Sequence, residues 1–368
     1  MIGKNIQKII RASGFGIALA LVMLLTSLGL KAQEQQGPNK VIMVIGDGMG
    51  LTQITSLYEL GRQDQSNFER FDHIGLLRNN ASGHRITDSA AGATAYACGV
   101  KTYNGSIGMD SDTLIVKNIV EVLPDENWNA GLVATSSITH ATPASYFSHV
   151  KWRNQEDDIA SWMHQSKIDF FAGGGKRFFE ERPDGLNYSD SLRTSGFEVS
   201  YNLDESKRSD KKLAYLLAKE GMPKMSEGRG DFLPNASKMA MDYLSKDGKN
   251  FFLMVEGSQI DWGGHANDAN YIITEMQDFD KALGVILDYA EKDGNTLVVV
   301  TADHETGGFA LSSDKNNYDQ VVGTFSTGGH TSTMIPIFAY GPGSEQFNGI
   351  YSNFEVFHKI LGLLKVDK

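Results

Sequence analysis

Cysteine is almost missing from this chain: Cys98 stands alone among 368 residues, so no disulfide can form within it. Basic residues are outnumbered, 34 Lys and Arg against 45 Asp and Glu, giving a formal net charge of −11. That balance argues against a nucleic-acid surface, because a phosphate backbone calls for a basic face. There are no internal repeats and no low-complexity tracts, which excludes solenoid and linker architectures. A long, predominantly apolar run without charges lies near the N-terminus, from Ala12 to Leu30.

That run is preceded by Lys4, Lys8 and Arg11 and followed by Lys31-Ala32-Gln33. A basic start, an apolar stretch and a small residue before the cut describe a secretory signal peptide over residues 1–32, cleaved after Ala32. The competing reading is an uncleaved membrane anchor, since the run approaches spanning length. Residues 1–32 hold four basic and no acidic groups, so removing them takes the charge from −11 to −15. The mature chain is expected to be periplasmic or secreted, with no stable membrane span. Cys98 lies among small residues, where a buried thiol is expected.

Beyond residue 38 the pattern alternates strand and helix. Apolar runs of strand length cover residues 40–45, 129–134, 168–172, 251–255, 296–302 and 334–340. Near-continuous apolar strands separated by amphipathic helices imply an α/β fold, a mostly parallel central sheet with helices on both faces. The longest helix is expected over 271–292, where Ile272, Ile273, Met276, Phe279, Leu283, Ile286 and Leu287 form a core stripe. Residues 33–368 read as one catalytic domain. Within it, residues 173–235 are less regular and read as a surface excursion.

What the chain does have is a concentration of carboxylates and imidazoles at strand ends and in glycine-rich turns: Asp47, Glu256, Asp261, His265, Asp303, His304 and His330. Asp47, Glu256 and Asp303 each follow an apolar strand, the edge at which doubly wound sheets bind ligands. Asp261 and His265 are spaced i, i+4, which on a helical turn aims both at one centre. Oxygen and imidazole nitrogen together suit divalent metals, zinc above all. Ser89, ahead of a run of small residues, reads either as a helix cap or as a nucleophile at a helix N-terminus.

Six segments in order resemble the alkaline phosphatase family: residues 46–50 (GDGMG), 87–91 (TDSAA), 140–143 (HATP), 255–261 (VEGSQID), 301–308 (TADHETGG) and 328–331 (GGHT). The resemblance implies a phosphomonoesterase acting through a phosphoserine on Ser89 and releasing inorganic phosphate. It implies one zinc held by Asp261, His265 and His330, and a second held by Asp47, Asp303 and His304 with Ser89. A third ion, magnesium, would use Asp47, Thr142 and Glu256. Arg153 matches the arginine that grips two phosphate oxygens, which suits a bidentate guanidinium.

Three departures modify that expectation. His140 stands where some relatives carry an acid near the third metal, which would raise zinc occupancy there relative to magnesium. Trp262 stands where relatives often place Lys or His toward phosphate, implying weaker phosphate retention. Only 25 residues separate His304 from His330, where many relatives insert a crown that helps form the dimer. Monomer and homodimer both stay open. The sulfatase alternative is disfavoured because residues 87–91 lack its C/S-x-P-x-R context. A diesterase would need room that an arginine on two oxygens denies. A catalytically silent metal-binding protein would need a lost ligand or nucleophile, and none is lost.

Overall fold

The computed structural model describes residues 37–204, 209–315 and 317–366. The expected signal segment lies outside them. Fourteen strands occur among the described residues: β1 Lys40–Gly46, β2 His73–Arg78, β3 Trp128–Ser137, β4 Phe170–Gly174, β5 Phe197–Ser200, β6 Lys212–Leu216, β7 Asn250–Gly257 and β8 Thr296–Thr301, then β9 Glu305–Thr306, β10 Phe309–Asp314, β11 Asn317–Phe325, β12 His330–Thr331, β13 Ile335–Tyr340 and β14 Gly349–Ser352. Ten of them form one sheet in the order β14-β2-β13-β8-β1-β7-β3-β4-β6-β5. All neighbours are parallel except at β13, which runs against both β8 and β2. The sheet is therefore mostly parallel, with a single reversed strand.

The centre of the sheet is apolar on both faces. Val41, Ile42, Val44 and Ile45 of β1 and Leu297 to Val300 of β8 are wholly buried, as continuous hydrophobic runs require when helices cover both sides. The helix Ala269–Asp293 buries Ile272, Met276, Phe279, Leu283, Ile286 and Leu287. It is capped by Asp268 at one end and left-handed Gly294 at the other. Ile273 of the expected stripe is only partly buried. The excursion over 173–235 is more integrated than its composition suggests: it contains β5 and β6, which extend the main sheet, and the start of the helix Phe232–Leu244, which packs on β3 and β7. β10 and β11 form a separate hairpin between the expected ligands His304 and His330. No helix among the described residues is long and apolar enough to cross a membrane.

Register fixes where the acids emerge. In the four adjacent strands β8-β1-β7-β3, Ile45 lies beside both Glu256 and Thr301, and Glu256 beside Ala134. Asp47, Glu256, Asp303 and the turn after Ser137 thus leave the sheet at one carboxyl edge. The turn Gly46–Gly50 can approach so closely because Gly48 has φ +74° and no side chain; a Cβ there would sit 2.6 Å from Asp261 Cα. Gly264 similarly lies against the Thr306 carbonyl, which accounts for glycine inside the helix Gln259–His265.

Candidate metal centre

Three groups of side chains converge at this edge, each with ligand atoms within 4.8 Å of one another: Asp47, Asp303 and His304; Asp261, His265 and His330; and Asp47, His140 and Glu256. Asp47 belongs to two of them. Every acid and histidine that the sequence marks as a ligand falls in one of the three groups, and Thr142 joins the last from the helical turn Ala141–Ala144 that His140 precedes.

In the inner cluster, Asp47, Asp303 and His304 are wholly buried. Asp303 Oδ1 accepts from the backbone N–H groups of Gly48 (3.1 Å) and His304 (2.9 Å). Its Oδ2 lies 3.2 Å from His304 Nε2, and Asp47 Oδ1 lies 3.5 Å from the same nitrogen. The Ser89 hydroxyl lies 3.2 Å from it as well. On the far side of the ring, Nδ1 meets the Thr306 hydroxyl at 3.1 Å, and that hydroxyl donates its proton to Asp261 Oδ1. With its one proton committed, Thr306 can only accept from His304. Nδ1 therefore carries a proton, and Nε2 is the nitrogen that faces Ser89 and the two aspartates. Burial opposes charge on this ring, yet the Asp303 carboxylate outweighs it and pushes its pKa up, as a site shaped for a cation would.

The outer cluster is built on the same logic. His265 Nδ1 faces the Gly328 carbonyl at 2.7 Å and His330 Nδ1 faces the Thr87 carbonyl at 2.9 Å. Each carbonyl takes the ring's N–H, so both Nε2 atoms are bare. They lie 3.2 Å apart, and 3.4 and 3.6 Å from the Asp261 carboxylate. Two lone pairs facing each other over a carboxylate form a donor set for a cation.

The third cluster is marked by polar atoms that are buried and make no hydrogen bond: both carboxylate oxygens of Asp47, Glu256 Oε1, Thr142 Oγ1 and His140 Nδ1. Buried polar groups are ordinarily satisfied, so their convergence points to a ligand outside the protein's own donors. The other Glu256 oxygen is held by the hydroxyls of Ser258 (2.6 Å) and Ser136 (3.1 Å). Burial, and then the charge of Asp303, pushes the Asp47 carboxyl well above the usual range and Glu256 up to about 7. Burial, with Arg153 adding, pulls His140 down to about 3, so its ring is neutral. Divalent cations supply the countercharge that these carboxylates need, and the oxygen and imidazole donors fit them.

Ser89 is the first residue of the helix Ser89–Cys98, and the cap is Asp88, whose Oδ1 accepts from Ala91 N at 3.0 Å. The capping reading of Ser89 therefore fails, and its hydroxyl is left for His304. The small residues of this helix let it lie against the metal edge: a Cβ at Gly92 would touch Asp303 Cβ at 3.0 Å, and Tyr96 donates to the Ala302 carbonyl at 2.7 Å.

Arg153 donates to Asp88 Oδ2 (3.1 Å) from one guanidinium nitrogen and meets His140 Nε2 (3.3 Å) with the other. Asp88 also accepts from Gly105 N. Sequence reasoning misses Asp88 and Thr306; the only signal for Asp88 is its place before Ser89, and for Thr306 its place two residues after His304. Trp262 packs edge-on to His140 at 6.2 Å between ring centres and against Gly221. It walls the third cluster.

A model of the family described as alkaline phosphatase matches residues 39–324. Alkaline phosphatase 4 of Bacillus subtilis is 31% identical, with 92% of this chain and 91% of that protein covered. Alkaline phosphatase 3 of the same organism is 32% identical, covering 91% and 92%. Among solved structures, the alkaline phosphatase of the Antarctic bacterium TAB5 is 48% identical with a TM-score of 0.89, covering 91% of this chain and all of that one. A variant of that enzyme with one histidine changed to aspartate carries magnesium in its M3 site, at a TM-score of 0.87 over the same 91% of this chain and all of that one.

Proposed function

This chain belongs to the alkaline phosphatase family and is a phosphomonoesterase, and on that premise we propose how its residues divide the work. The outer cluster Asp261, His265, His330 and the inner cluster Asp47, Asp303, His304 with Ser89 would each hold a zinc ion; Asp47, Thr142 and Glu256, flanked by His140, would hold a third divalent cation, magnesium or zinc. Bound there, the cations supply Lewis-acid charge to the serine oxygen, the leaving oxygen and the phosphoryl group. Ser89, at the positive end of its helix, attacks phosphorus in line and expels the alcohol. Arg153, braced by Asp88 and His140, grips two phosphoryl oxygens and orients them. Water then cleaves the phosphoserine and inorganic phosphate leaves. Neither zinc cluster leaves a histidine over for general acid–base work, since each Nδ1–H is spent on a fixed acceptor.

His140 in place of a carboxylate takes one negative charge from the third cluster and offers a neutral nitrogen, which favours zinc there over magnesium. Trp262 places an uncharged indole against His140, where relatives often place Lys or His. Export as a periplasmic or secreted enzyme, acting on phosphate monoesters outside the cytoplasm, is part of the same proposal and rests on residues 1–32. The observation that carries the reading is His304 Nε2 within 3.5 Å of the Ser89 hydroxyl and two buried aspartates. Its test is intact-protein mass after acid quench with an aryl phosphate. The native chain is expected to retain one phosphoryl group. Ser89→Ala is expected to retain none and to lose at least about a thousandfold in kcat. A labelled Ser89→Ala protein would refute the assignment.

A further inference from the structure

Arg153 and the third cluster come from different segments, yet their spacing must be held to a fraction of an ångström for phosphate and cation to be gripped together. Arg153 follows the bridge Ile107–Val150, and its backbone N–H donates to the Gly105 carbonyl at 2.7 Å. His140 and Thr142 sit in the turn after β3, where His140 N donates to the Ser137 carbonyl at 2.9 Å. Between the two lies a carboxylate with no part in the mechanism above. Glu156, first residue of the helix Glu156–Met163, accepts on one oxygen from both the Ser137 hydroxyl (2.8 Å) and the Thr139 hydroxyl (2.7 Å).

Resting on the proposed metal and phosphate sites, we infer that Glu156 is a positioning residue that sets the distance between Arg153 and the third metal cluster. Its two donors, Ser137 and Thr139, both lie in the turn Ser137–His140 that delivers His140, so a single oxygen holds that turn at two points. Its own chain position, three residues after Arg153, ties the same point to the phosphate grip. The circuit is closed by the 3.3 Å contact between Arg153 Nη2 and His140 Nε2. A further link runs from the turn to the cluster itself: Ser136 Oγ faces both the Ser137 carbonyl and Glu256 Oε2, at 3.1 Å each. Shifting Ser137 therefore shifts a group that orients a third-cluster carboxylate.

The placement also accounts for an acid in a poorly solvated spot. Burial pushes the Glu156 carboxyl up, while the Thr139 and Ser137 hydroxyls and the charges of Arg177 and Arg153 pull it down. A neutral apolar residue would fill the space at lower desolvation cost, but it could not hold two hydroxyls. The helix N-terminus under Glu156 favours the same charge.

The test compares the metal-loaded native enzyme with Glu156→Ala, Glu156→Gln and the double variant Ser137→Ala/Thr139→Val, which removes the strut from the other side. Magnesium affinity is read by calorimetric titration of protein holding its two zinc ions, and KM and kcat are read separately at saturating magnesium. In Glu156→Ala, magnesium affinity is expected to fall about 10–100-fold, the range for residues that orient ligands. KM should rise about tenfold with kcat within about threefold. Zinc content should stay at the native value. Glu156→Gln, which keeps an acceptor oxygen, should recover most of the loss. The double variant should reproduce it, with no further loss when combined with Glu156→Ala. Magnesium affinity and KM within twofold of native in Glu156→Ala or in the double variant Ser137→Ala/Thr139→Val would overturn the inference, as would parallel loss of all three ions. If the native enzyme itself takes up no third ion, the metal assignment falls first and this inference with it.

Discussion

His304 of the inner cluster is wholly buried with Asp47 and Asp303, behind the first turn of the serine helix, whereas the His265 side chain of the outer cluster is 42% exposed and His330 16%. The inner cluster has two carboxylates and shares one of them with the third site; the outer has Asp261 alone. Both use the same device to aim imidazole, an acceptor on Nδ1. They differ in what backs it: a buried hydroxyl for His304, but backbone carbonyls of Gly328 and Thr87 for the outer pair. Geometry alone can therefore build two similar donor sets, while burial and charge decide how firmly each holds its ion. The outer set is the more exposed of the two, through His265, and the proposed mechanism would pass the leaving alcohol and the incoming water there.

The sharpest contrast comes from removing one ligand on each side. Asp303→Ala is expected to cost on the order of a thousandfold or more in kcat/KM, with no recovery in excess zinc, because it strands a buried aspartate and His304. His265→Ala should cost about 10–100-fold and recover in excess zinc, since Asp261 and His330 remain and water can complete the set. Equal, unrecoverable losses would erase the distinction. Thr306→Val probes a hydroxyl that touches both clusters, at His304 and at Asp261. Zinc affinity is expected to drop about 10–100-fold at both sites, measured by competition with a chromophoric chelator, with Thr306→Ser close to native. A loss confined to one site would show that the hydroxyl does not link them. The smallest effect is expected at the third cluster: His140→Asp should shift its preference from zinc to magnesium by several-fold, read as metal content after dialysis against both ions.

Much of the inner and outer clusters is legible in the sequence. β1, β7 and β8 stand out as continuous apolar runs, and the acids at their ends can only face the carboxyl edge of a parallel sheet. The helix Ala269–Asp293 is visible from its stripe and closing glycine. β2 and β5 are not, because four to six residues of mixed polarity near the sheet margins carry no periodicity to distinguish them, and the short apolar run of β6 lies between charged stretches that read as surface. The reversal of β13 has no local signature at all; Ile335–Tyr340 would look the same in either direction. Supporting residues are hidden for a related reason. Thr306 meets Asp261 across 45 positions and Glu156 meets Ser137 across 19, and a threonine or glutamate in a polar stretch signals nothing until the chain folds back.

The most direct test of the difference between the clusters is graded chelation of the fully loaded enzyme, following metal content and phosphomonoesterase activity together. One zinc equivalent should leave first and take most of the activity with it, and His265→Ala should lack that first step while keeping the slower one. Loss of both zinc ions in a single step, or a first step that persists in His265→Ala, would contradict the account of a firmly held inner site and an exchangeable outer one.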